Sequence, residues 1–248
     1  MACRVVDLVA LERALAGIIA EGGAGAPGRI GEACLSALPV HHVAITVMAD
    51  ADSQEPIWAS DEVAGHLDEV QFTLGEGPCV EALTDRRPVL VADVAALTDA
   101  RWPMFADAVR QTPVRALCVL PLQAGAVVAG VLNLYRDESG LLERDELAGA
   151  LRIADAALLT LLGLRSGQRI NGSGRNGRDV DPHGWLSGSP LHHTAVYQAT
   201  GMVIAQVDVS PETALAKLRA FAFVHDRPIA EVAGEVIARR LRFDEEEK

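Results

Sequence analysis

The chain has 248 residues, half of them apolar, with 22 basic and 34 acidic side chains and a formal net charge of −12. That length suits two modest domains, and that charge argues against general attraction to nucleic acid or an anionic membrane, though not against one local contact. Cys3, Cys34, Cys79 and Cys118 form no CxxC pair and no Cys/His ligand spacing, so neither a metal site nor a cofactor is expected.

The opening stretch MACRVVDLVALERALAG carries Arg4, Asp7, Glu12 and Arg13 and lacks the unbroken apolar run of a signal peptide. Val6 to Ala20 has apolar residues at helical spacing, and Gly28 to Leu38 reads as a second helix. HHVAITVMA, rich in β-branched residues, reads as a strand, with EPIWAS as its hairpin partner. GPCVEALTDRR is a short helix opened by Gly77-Pro78. RPVLVADV is a strand, and RALCVLPLQAGAVVAGVLNLYR is two strands around a Gln123-Ala124-Gly125 turn. In VLNLYRDE, Asn133 reads as a turn residue at the strand's end.

Leu141 to Leu164 is a long helix with two apolar stripes, Leu147, Leu151, Ala154, Leu158 and Leu161 on one, Ile153, Ala157 and Leu164 on another. One stripe suits the sheet and the other a second subunit, which predicts a homodimer; the alternative is a deeply buried helix. Arg152 and Asp155 make it a poor membrane span. The expectation is a soluble, reduced, cytoplasmic protein without a membrane partner.

The order of elements and the words FTLGEGPCVEAL (Phe72–Leu83), RPVLVADV (Arg87–Val94) and ALCVLPLQAGAVVAGVLNLY (Ala116–Tyr135) resemble a GAF domain across most of residues 1–165. The resemblance implies an α+β fold, a central antiparallel sheet with flanking helices, and a role in sensing a small molecule or in dimerisation. Its ligand stays open. Cys79, in GEGPC, resembles one redox cysteine of the free methionine-R-sulfoxide reductases. Their catalytic cysteine lies just before the next core strand, and here that segment, DARWPMFADAVRQTPVRA, has none. Cys118 falls inside a strand and reads as a core residue. Without a nucleophilic thiolate there is no sulfoxide chemistry, so no catalytic residue and no enzyme are expected. The Asn-Lys-x-Asp-Glu signature of cyclic-nucleotide GAF domains is missing. His41, His42 and His66 read as surface or capping residues rather than haem ligands.

Residues 166–190, SGQRINGSGRNGRDVDPHGWLSGSP, have the composition of a flexible linker. Three helices follow, opened by Ser189-Pro190, by Ser210-Pro211 with Glu212 in the first turn, and by Pro228. Residues 191–243 form a small all-α domain, with core residues drawn from Val196, Met202, Val203, Ala214, Leu218, Phe221, Ile229, Val232, Val236 and Ile237; residues 244–248 are an acidic tail.

Ala199-Thr200-Gly201-Met202-Val203, Ser210 with Ala214, Leu218-Arg219, Ala222, Arg227-Pro228-Ile229 and Val232-Ala233 together resemble the ANTAR domain, the RNA-binding module of transcription antitermination regulators. The resemblance implies structured RNA as partner, namely stem-loops in mRNA leaders. Many ANTAR domains place lysine where this chain has Thr200. From Leu191 to Phe243 six basic residues face five acidic ones, leaving +1, so affinity must come from close fit. The expected RNA-binding residues are Gln198, Ala199, Thr200, Gly201, Arg219, Ala222 and Arg227. A small uncharged patch at Ala199 and Gly201, rimmed by Gln198, Thr200 and Arg219, suits an unpaired RNA loop. The alternative is that Gly201 permits close helix packing. Competing functions are a DNA-binding helix-turn-helix regulator and a sensory adaptor for a protein partner.

Overall fold

A computed structural model describes residues 6–50, 52–97, 101–171, 193–225 and 227–243, with 165–171 as backbone only. They form two compact units, one from residues 6–72 and 76–171, the other from residues 193–243 with residues 73–75.

Unit one begins with helix α1 (Leu8–Glu21), where the Asp7 carboxylate accepts from the N–H groups of Val9 and Ala10 at 3.1 and 3.0 Å. Helix α2 (Ala26–Ala37) carries Pro27 in its first turn. Strands β1 (His42–Met48) and β2 (Gln54–Ala59) form the expected hairpin. Helices α3 (Glu62–Leu74) and α4 (Pro78–Asp85), strand β3 (Val89–Val91) and helix α5 (Pro103–Arg110) follow. Strands β4 (Ala116–Ala124) and β5 (Val127–Arg136) turn at Gly125-Ala126, and helix α6 (Arg144–Asn171) closes the unit. The sheet has five strands in the order β2-β1-β5-β4-β3, and every neighbouring pair is antiparallel. The β1–β2 register shifts between Ile45 and Thr46, and Pro56 lies in β2.

Period-two alternation gives the sheet two different faces. Val43, Ile45, Cys118, Leu120, Leu132 and Leu134 join Leu11 and Leu15 of α1, Ile30 and Cys34 of α2, and the inner side of α6 in one apolar core. The register pairs Ala44 with Asn133 and Thr46 with Val131, which sets Thr46 and Asn133 on the opposite face. Trp58 of β2 lies across α2, and only glycine fits beneath it. A Cβ on Gly31 would stand 1.9 Å from the indole Cζ3.

Three expectations change here. The segment between β2 and β3 holds two helices, and α3 is the one that the apolar pattern hid. Asn133 is no turn residue: it is fully buried in the middle of β5. In α6, which continues past the expected boundary at 165, Ile153, Ala154, Ala157, Leu158 and Leu161 are all buried within the unit. Residues of both stripes therefore belong mostly to the core; Leu151 and Leu159 are exposed. Residues Arg144–Leu164 of this helix are long and apolar enough to cross a membrane, and half of that window is packed inside the fold.

His42 lies between two carboxylates, its Nδ1 2.9 Å from Asp61 and its Nε2 3.0 Å from Asp137. Both ring nitrogens are thus engaged by carboxylates that reach it from either side. Partial burial pushes the Asp61 carboxyl up, but hydrogen bonds from Ala64 N–H, Ser60 Oγ and His42 outweigh it and hold the group below its ordinary value.

Unit two has three helices, α7 (Thr194–Val207), α8 (Pro211–Val224) and α9 (Ile229–Ile237). Ser210 Oγ accepts from Thr213 N–H at 3.2 Å and caps α8 as expected. The expected start at Ser189-Pro190, like the linker from 172 to 190 and the tail from 244, lies outside the described residues; the cap of α7 is His193. Val196, Val203, Ala214, Leu218, Ile229, Val232 and Val236 form the core as read, whereas Met202, Phe221 and Ile237 are half-buried.

Gly31→Ala should destabilise unit one by about 1–3 kcal/mol, the range for overpacking, and Trp58→Leu in the same chain should recover most of that loss in chemical unfolding. Because Asp61 is depressed, its contribution is present above the unfolded carboxylate value of about 4 and is lost as pH falls through the lower folded value. His42→Ala should move the Asp61 carboxyl up in an NMR titration.

Candidate functional site

The sheet face opposite the apolar core carries a chain of buried polar groups. Asp68 of α3 accepts from Thr46 Oγ1 at 2.5 Å and from Asn133 Nδ2 at 2.9 Å. Asn133 Oδ1 accepts from Cys79 Sγ at 3.0 Å, and Cys79 N–H donates to Gln71 Oε1 at 2.8 Å. Gln71 Nε2 donates back to Leu67 O at 3.3 Å. Thus α3, α4, β1 and β5 meet through one hydrogen-bonded path. Gly77 allows it: its φ of +133° is a glycine conformation, and a Cβ there would lie 2.7 Å from the Gln71 side chain. The Tyr135 hydroxyl is buried beside this path, next to the Gln71 side chain.

Electrostatics follow from burial. The Cys79 thiol is pushed well above its ordinary value by burial and then by the Asp68 charge, against weaker opposition from Asn133 and Gln71. Tyr135 is raised by burial first, then by Asp68 and Cys79. Burial alone raises Cys34, and pushes Cys118 up to about 12. At neutral pH these are protonated, enclosed groups. A neutral buried thiol is a poor nucleophile. Among the described residues no cluster of three His, Cys, Asp or Glu side chains could hold a metal.

The sequence reading missed Thr46, Asp68 and Gln71 here. Ala64, Leu67, Asp68 and Gln71 stand at helical spacing on the buried side of α3, which is the signal that would have found them.

In unit two, α7 divides the residues that the sequence reading grouped. Successive helical residues turn by about 100°, so four in a row cannot share a face. Ala199 is fully buried, and Thr200 is buried with its hydroxyl donating to Val196 O at 2.8 Å. Gln198 and Gly201 are exposed, and a Cβ on Gly201 would meet nothing within 4 Å. Ala222 belongs to the core, and Arg219 follows the buried Leu218 on α8. Arg227 is held by Glu235 at 3.0 Å and Glu231 at 3.8 Å, and hydrogen bonding to Glu235 raises it above its ordinary value. The exposed uncharged face of α7 is therefore Gln198, Gly201 and Ala205, with Met202 half-buried beside it, rather than Ala199 with Gly201. Open space at Gly201 removes close packing within unit two as the reason for that glycine.

Cys34, Cys79 and Cys118 should resist a thiol reagent at pH 8 in the native Cys3→Ser chain and react at once in denaturant. Rapid native labelling of Cys79 would contradict its enclosure. Because folding raises these thiols, the stability they contribute is present below about pH 8.5 and is lost as pH rises above it.

Residues 29–161 match the GAF domain family. Among solved structures, the chain is similar to the GAF domain of a phosphoenolpyruvate-protein phosphotransferase from Coxiella burnetii. The TM-score is 0.54 at 15% identity, over 67% of this chain and 99% of that one. The biliverdin-bound far-red absorbing domain JSC1_58120g3 gives 0.47 at 15% identity, over 62% of this chain and 98% of that one. Free methionine-R-sulfoxide reductase from Neisseria meningitidis, in complex with its substrate, gives 0.44 at 16% identity, over 64% of this chain and 89% of that one. No curated protein matches the chain.

Proposed function

The chain belongs to the GAF domain family through residues 29–161, and from that premise we propose a transcription antitermination regulator in which a GAF sensor, residues 1–165, controls an RNA-binding ANTAR domain, residues 191–243. The residues between them act as a linker. The observation that carries the RNA reading is the exposed face of α7, where Gln198, Gly201 and Ala205 offer hydrogen-bonding and small groups and no charge. Unpaired loop bases are read by close approach, stacking and base-edge hydrogen bonds. An open glycine on a helix face permits that approach. Of the seven residues expected at the RNA, Gln198 and Gly201 are exposed on α7 and make the direct contact in this reading, while Arg219 is half-buried on α8. Ala199, Thr200 and Ala222 support it from the core, and Arg227 is already taken up by two glutamates.

Unit one acts in this scheme as a sensor and not as a reductase. Its Cys79 thiol is enclosed and protonated, and the segment before β4 supplies no second cysteine. We also read the outward face of α1 and α6, with exposed Val9, Leu151 and Leu159, as the homodimer contact.

Gel shifts on hairpin RNA and duplex DNA separate this reading from a DNA-binding regulator and from a protein-binding adaptor: the hairpin alone should shift. Gly201→Leu should keep the helical circular dichroism and melt within about 0.5 kcal/mol of the parent, as surface changes do, yet lose hairpin binding. A Gly201→Leu chain that binds normally removes the RNA from this face. Sedimentation at micromolar concentration should show a dimer, which Leu151→Glu with Leu159→Glu should separate into monomers.

A further inference from the structure

Beyond α9 the chain reverses direction. Arg239 takes a left-handed conformation with φ +58°, its N–H donating to Val236 O at 2.9 Å, and Arg240 N–H donates to Glu235 O at 2.9 Å. The segment then returns to α7. Phe243 N–H donates to Gln206 Oε1 at 3.1 Å, and the Phe243 ring, buried, meets Phe221 edge-on with centroids 5.8 Å apart. Both ends of this short return are thus fixed.

Between the return and α7 lies an open groove of about 460 Å³, lined by Met202, Ala205, Gln206, Arg239 and Arg242. One wall is apolar, from Met202 and Ala205. Gln206 has its oxygen engaged by Phe243, which leaves its Nε2 to donate. The other wall brings two guanidinium groups, and Arg239 forms no ion pair among the described residues. Other cations of unit two are differently placed. Arg227 is bound to Glu231 and Glu235, and Arg240 lies within the field of Glu235.

We propose that this groove holds one unpaired nucleotide of the RNA loop, its phosphate on Arg239 and Arg242 and its base against Met202 and Gln206. The inference rests on the RNA reading of unit two and locates the charge that reading needs. Helix α7 itself carries no cation, and the buried hydroxyl of Thr200 is spent on Val196 O. The C-terminal return supplies the missing charge one turn further along the same helix. Guanidinium forks match the geometry of phosphate oxygens. A thioether packs well against an aromatic ring, and an amide N–H donates to a base edge. The return is pinned before RNA arrives, so less ordering remains to be done on binding. The volume lies in the range of about 300–1,000 Å³ typical of ligand sites.

The test takes the full chain and the best-bound member of a hairpin RNA library with randomised loops, and measures affinity against salt. Arg239→Asn with Arg242→Gln removes both charges; asparagine tolerates the left-handed turn. The slope of log affinity against log salt should become shallower by about 1.4, two charges at about 0.7 each for single strands, with affinity down by about tenfold or more. Arg239→Lys with Arg242→Lys should keep the slope. Ala205→Glu, which leaves the return untouched, should by itself abolish binding even if the double variant melts early. If the parent binds the hairpin and either the Asn/Gln pair or Ala205→Glu binds like the parent, the groove is overturned and the RNA reading stands. If no library member binds the parent, the RNA reading falls and the groove falls with it.

Discussion

A carboxylate inside a protein needs donors, and Asp68 is where unit one meets that demand. Burying an ionised group without partners costs several kcal/mol. Asp68 therefore compels Thr46 on β1 and Asn133 on β5 to lie side by side on one sheet face, and it compels α3 to stand against that face. Asn133 passes the requirement on to Cys79, and Cys79 to Gln71. The opposite face needs no such specification. It is filled by aliphatic side chains from α1, α2 and α6, whose fit is a matter of shape. One side of the sheet is thus held by directional bonds and the other by packing.

This division explains what the sequence disclosed. Hydrophobic periodicity reads packing, so α1, α2, the central strands and α6 were legible from apolar spacing alone. It does not read a polar core. Asp68 and Gln71 on the inner side of α3 broke the expected apolar stripe, and the helix vanished into the interval between β2 and β3. Asn133 misled for the same reason: asparagine is a common turn residue, and only its cross-strand partners reveal a buried donor and acceptor. The capping signals did better because they are local. Asp7 and Ser210 each satisfy backbone N–H groups two or three residues on, with no tertiary information required.

Unit two shows the same limit in another form. Its motif residues are contiguous in sequence, and a motif read as a string invites a contiguous surface. A helix distributes such a string around its axis. Ala199 and Thr200 go to the core, Gln198 and Gly201 to solvent. The spacing of three and four was available in the sequence and would have paired Gly201 with Gln198 and Ala205. The return after α9 was not available, since a left-handed arginine carries no sequence signature comparable to glycine.

The two borders of the sheet differ from its middle. At one border β3 offers only three residues; at the other β2 carries Pro56, which has no N–H to give, opposite an irregular register. Unpaired strand borders are where β-proteins recruit further strands and aggregate, and shortness, proline and bulges are the usual defences. A sheet bordered in this way offers a neighbouring molecule little unbroken backbone with which to pair.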